Sequence, residues 1–76
     1  MRQSREDYIL KIRLFLERHA GENTVVGDTC NEVLEDTCAG ELDMPHKLID
    51  YLEYLAILKP EFEYGAAKTI KLFKND

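Results

Sequence analysis

The chain has 76 residues, a formal net charge of −5, 45% hydrophobic and 33% charged residues. That length bounds it to one small domain, which buries only about 60% of the surface its unfolded chain exposes. The acidic balance opposes loose attraction to nucleic acid, no apolar run approaches the roughly 20 residues of a membrane span, and the composition is that of a folded domain.

The N-terminus opens MRQSRED, with charges where a secretory leader carries its apolar segment, so a cytoplasmic protein is expected. A first helix is expected over about Arg5 to His19. Ser4 is a good N-cap and Ser4-Arg5-Glu6-Asp7 resembles a capping box. Glu6 and Asp7 suit the positive end of the helix dipole, Arg18 and His19 the negative end. Gly21 can close the helix in the left-handed conformation. Tyr8, Ile9, Ile12, Phe15 and Leu16 share one face and should look inward. Leu10 and Leu14 fall on the opposite side, as ordinary exposed leucines or as a seam for a second copy or a partner.

Thr24-Val25-Val26 reads as a short extended segment, because β-branched residues favour strands, and Gly27-Asp28 ends it. A second helix then starts at Thr29, whose run Thr29-Cys30-Asn31-Glu32 matches a capping box. Its apolar stripe is Cys30, Val33, Leu34, Thr37 and Cys38, and Gly40 stops it. From Glu22 to Asp43 there is no Lys or Arg. This acidic stretch is either a solvated face, a dock for a basic partner or an imitation of nucleic-acid charge. The two cysteines, eight residues apart on one helix, lie roughly 12 Å apart along the axis and are too far to bridge. Both read as reduced, buried thiols. With His19 and His46 they have no recognised zinc-ligand spacing, and no cofactor is expected.

After a turn from Gly40 to Asp43, a third helix follows, capped by Asp43 with Pro45 in its first turn. Leu48, Ile49, Leu52 and Leu55 form its buried stripe; His46, Lys47, Asp50 and Glu53 face mainly outward. Pro60 forbids helix beyond the residues before it. Ile57-Leu58-Lys59 then reads as a strand, Glu61 to Tyr64 as a hairpin arm, Gly65-Ala66-Ala67 as a tight loop, and Lys68 to Lys74 as the return strand.

The run Ile49-Asp50-Tyr51-Leu52-Glu53-Tyr54-Leu55-Ala56-Ile57-Leu58-Lys59 resembles the end of the third helix in the winged helix-turn-helix superfamily. Ile49 and Leu52 match its two aliphatics, Ala56 stands where the family usually has Gly, and Ile57-Leu58 match the strand entry. The resemblance implies an α+β fold of order α-β-α-α-β-β, three helices with a C-terminal β-hairpin over residues 1–76. It also implies a transcriptional regulator that binds double-stranded DNA as a homodimer, with helix three in the major groove and the wing on phosphates. By position, His46 and Lys47 would sit nearest the bases, and Lys68, Lys71 and Lys74 on the backbone. Leu10 and Leu14 would be the dimer or partner interface. Set against this, helix three offers no Arg, and its Asp50 and Glu53 would face a polyanion. The other expectation is an acidic interaction module, an adaptor or inhibitor, that docks a protein and leaves DNA alone. No catalytic constellation is present: Ser4 serves as a cap and no phosphate loop, HExxH or CxxC occurs, so no enzyme is expected.

Overall fold

The computed structural model describes residues 4–36 and 41–75. The fold is all-α, with α1 at Arg5–Ala20, α2 at Val25–Asp36, α3 at Pro45–Leu58, a 3-10 turn at Pro60–Phe62, and α4 at Glu63–Lys74. Among the described residues there is no strand, so the expected α+β winged helix with its C-terminal hairpin is corrected to four helices.

The first helix begins as its sequence says. The Ser4 hydroxyl accepts the Asp7 N–H at 3.2 Å and the Asp7 carboxylate accepts the Ser4 N–H at 3.2 Å, a reciprocal box that satisfies two orphan donors. Ile12, Phe15 and Leu16 are buried, with Tyr8 and Ile9 at the margin. Gly21 stays right-handed at φ −78°, so the closure expected there is not left-handed.

The second helix starts five residues earlier than expected. Thr24, not Thr29, is its cap: the Thr24 hydroxyl accepts the Gly27 N–H at 3.0 Å. Val25 and Val26 are therefore helical, which overrides their preference for strand. Thr29 is fully buried inside the helix, and its hydroxyl donates to the Val25 carbonyl at 2.7 Å. Cys30 and Val33 are buried as expected; Thr37, Cys38 and Gly40 lie outside the described residues.

Met44 takes the N-cap position of α3 without a side-chain hydrogen bond, and Pro45 opens the helix. Asp43, expected as the cap, is instead a buried carboxylate between Arg5 Nη2 at 2.6 Å and Lys47 Nζ at 2.7 Å. It fastens the start of α1 to the start of α3. Leu48, Leu52 and Leu55 are buried. The helix continues through Ile57 and Leu58, where a strand was expected, and stops only at the Pro60 barrier.

The C-terminal segment shows why the hairpin fails. Gly65, Ala66, Thr69 and Phe73 are all buried, a spacing of three and four residues that belongs to one helix face. Glu63 lies in the first turn and Lys71 and Lys74 in the last, each complementing the helix dipole. Gly65-Ala66 is not a loop but the place where α2 crosses α4. A Cβ on residue 65 would stand 2.1 Å from Thr29 Oγ1 and 2.8 Å from the Val25 carbonyl oxygen. The buried Thr69 hydroxyl donates to the Gly65 carbonyl at 2.7 Å, as Thr29 does one turn back on α2. Phe73 meets Phe15 edge-on at 5.1 Å between centroids, closing the core between the first and last helices.

Candidate interaction surface

Extending α3 to Leu58 decides what its outer side carries. Ile57 follows Leu48 by about two and a half turns, so it points away from the core that Leu48 enters. It is 81% exposed, with Tyr54 and Leu58 each 58% exposed. Positions 54, 57 and 58 are three and four residues apart and so adjoin on the helix surface. Tyr51, half-buried, brings its ring to 6.5 Å from that of Tyr54. These side chains form an apolar strip on an otherwise polar helix face.

Carboxylates border the strip. Asp50 and Glu53 are exposed one turn before Tyr54 and Ile57, and Glu61 and Glu63 are exposed just beyond the helix end. The two lysines of the Asp43-to-Glu63 stretch are both engaged by acids. Lys47 lies against Asp43, whose carboxyl is held below its usual range chiefly by the Lys47 hydrogen bond and then by Arg5. Lys59 bonds Glu32 and reaches Asp36 at 3.5 Å, tying the end of α3 to α2. The Glu32 hydrogen bond and the nearby Asp36 raise its pKa. Burial, with Asp36 and Glu32 nearby, raises the pKa of Tyr51 as well.

Of the residues expected to touch DNA, those assigned to the third helix lie on it and those assigned to the wing lie on a fourth helix. His46 and Lys47 are exposed in the first turn of α3, though Lys47 is engaged by Asp43. Lys68, Lys71 and Lys74 are exposed on α4. Three-residue steps on a helix drift by about 60° each, so these lysines wind around α4 instead of lining a strand edge. Lys68 lies over the Tyr64 ring at 5.1 Å from its centroid. Leu10 and Leu14 are 56% and 52% exposed on the side of α1 away from the buried Ile12, Phe15 and Leu16.

Cys30 and His19 are spent on structure. Cys30 is fully buried, and burial together with Glu22 pushes its thiol up to about 11, so it stays protonated. His19 Nδ1 lies 2.8 Å from Glu22 Oε1, and its ring packs on Phe15 at 4.7 Å. An open cleft between the start of α2 and the turn into α4 is lined by Val25, Asp28, Phe62 and Tyr64 among others; the one hydroxyl in it besides Tyr64's, on Thr29, already donates to Val25. Among the described residues, no group of three or more His, Cys, Asp or Glu side chains could hold a metal ion, and no helix is long and apolar enough to cross a membrane.

Sequence reasoning missed Ile57 and Leu58 as surface residues, because it spent them on a strand. Extending the α3 periodicity to Pro60 places Ile57 opposite Leu48 and would have found the strip. No protein-family model, no curated protein and no solved structure matches the chain.

Proposed function

We propose that this chain is an acidic protein-interaction module, an adaptor or inhibitor, that docks an apolar segment of a partner protein on the outer face of α3. One observation carries the reading: Tyr54, Ile57 and Leu58 are adjacent, large and mostly exposed on consecutive turns. Scattered exposed leucines are ordinary, but a contiguous apolar strip with a polar border is the composition of a docking surface. The reading is supported further by the charge of −5 and by the engagement of Lys47 and Lys59 with carboxylates, both of which weaken attraction to a polyanion. Catalysis and a resident cofactor play no part in this reading, and the module acts inside the cell.

The test is site-specific photo-crosslinking in cells of its source. A benzophenone side chain is placed at residue 57 or, as an exposed control, at residue 67 of α4. Adducts from position 57 and none from position 67 are expected. Equal adducts from both, or none from 57, would refute the reading. A parallel titration uses mixed-sequence duplex DNA at low salt. Salt-sensitive binding abolished by Lys68→Glu and Lys71→Glu would instead assign the α4 lysines to phosphate contacts.

A further inference from the structure

From the charges around the α3 strip we infer that its occupant is a cationic amphipathic helix. The inference rests on the protein-docking reading above and names the partner's chemistry. Asp50 and Glu53 lie four residues before Tyr54 and Ile57 respectively, so each carboxylate adjoins an apolar side chain of the strip on the helix surface. Glu61, exposed beyond the helix end, adds a third acid. Of the lysines near the strip, Lys59 at its apolar end is matched by Glu32 and Asp36, and Lys47 at the far end of α3 shares Asp43 with Arg5. The face therefore presents an apolar end at Ile57 and Leu58 and an acidic end at Asp50 and Glu53. An amphipathic helix docks by laying apolar residues spaced at three and four into such a surface. Lys or Arg flanking those residues would meet carboxylates, whereas Glu or Asp would meet like charge, which costs affinity and slows encounter.

The probes are two dye-labelled helical peptides of equal length and leucine content, one Leu/Lys and one Leu/Glu, followed by anisotropy and by amide NMR shifts of the full chain. The Leu/Lys peptide is expected to bind, weaken with salt, and shift amides of residues 50–58. Asp50→Asn with Glu53→Gln should weaken it several-fold, as two exposed ion pairs at up to roughly fivefold each allow. Ile57→Asp separates docking from bulk attraction by sign. It adds a negative charge, so a purely electrostatic encounter strengthens. Insertion of Ile57 into the partner is instead lost, with affinity falling about fivefold or more. Ile57 is exposed, so the variant keeps its fold, which circular dichroism checks.

Tighter binding by Ile57→Asp overturns the inference. So does equal or tighter binding of the Leu/Glu peptide at residues 50–58, which leaves the docking reading intact. If neither peptide shifts those amides, the inference falls, and the docking reading stands or falls on crosslinking from residue 57. A dimer of the chain alone that Ile57→Asp dissolves makes the occupant a second copy and also overturns the inference.

Discussion

Replacing Gly65 by Ala tests the fold at its tightest point. In an open helix interior, Gly→Ala stabilises by about 1 kcal/mol. At Gly65 the added methyl would lie 2.1 Å from Thr29 Oγ1 and 2.8 Å from a backbone carbonyl, both well inside van der Waals contact. Thr29 can rotate only by leaving its 2.7 Å bond to Val25, at about 1 kcal/mol, and the Val25 carbonyl can yield only if α2 moves. Overpacking of this kind costs about 1–3 kcal/mol. With the helix-propensity gain subtracted and the strained bond added, a net loss of about 1–3 kcal/mol is expected. For a domain this size that is a fall in Tm of about 4–8 °C per kcal/mol. Gly21→Ala is the control: nothing lies within 4 Å of its Cβ and its φ is −78°, so a gain of about 0.4–1 kcal/mol is expected. In a Thr29→Ala background the Gly65→Ala loss should shrink, because one of the two obstructing atoms is gone. Thermal and urea unfolding followed by circular dichroism measures the parent, the three single variants and the Thr29→Ala/Gly65→Ala double variant. A Gly65→Ala variant stabilised like Gly21→Ala would refute the close crossing of α2 and α4.

Leu55 and Ile57 should part company: Leu55→Ala is expected to cost about 2–5 kcal/mol as a core truncation, and Ile57→Ala almost nothing in urea melts, since they are 1% and 81% exposed; equal losses would show that α3 ends before Ile57. Because Asp43 is titrated at a lowered pKa in the folded state, its contribution is present above its unfolded pKa of 3.8 and disappears as pH falls through the folded value. The stability gap between the parent and Asp43→Asn should therefore close in acid melts below pH 3.8 and stay open at neutral pH. Cys30 acts at the other end: its unfolded thiol ionises at 9.0 but the folded one at about 11, so stability should fall by up to about 1.4 kcal/mol per pH unit across that window. Cys30→Ala should show a shallower slope there, and an unchanged slope would remove the thiol from the alkaline transition.

Much of this architecture could be read from the residues, and the misreadings have physical causes. The cap at Ser4 and the stripes of α1 and α3 are local, and they appear where spacing put them. The second helix was misplaced because Thr24 and Thr29 both offer a capping hydroxyl; the choice depends on Gly27. A Cβ there would lie 2.0 Å from the Glu22 carbonyl oxygen, so the residue sits directly on the preceding turn. At the C-terminus, Thr69-Ile70-Lys71-Leu72-Phe73 fits a two-residue alternation about as well as a helical period, which short apolar runs cannot distinguish. Gly65-Ala66-Ala67 tipped the reading toward a turn. Small residues also mark the contact of two helices, and which meaning applies depends on Thr29, more than thirty positions away. The apolar strip on α3 was illegible for the same reason: once Ile57 was placed in a strand, its exposure on a helix could not be seen.

The crossing at Gly65 and Thr29 has a kinetic side. α1 packs on α2 and α3 on α4, so each neighbouring pair forms from residues close in the chain, whereas the contact of α2 with α4 joins the two halves. Local pairings form quickly and distant ones must first overcome loop closure. The two helix pairs would then assemble early and meet last, with an unadorned glycine as the surface on which they settle. A methyl at that point would act mainly after the pairs exist. The halves would come apart faster while each pair zipped up at nearly its former speed. Stopped-flow chevrons of Gly65→Ala should show the change almost entirely on the unfolding limb.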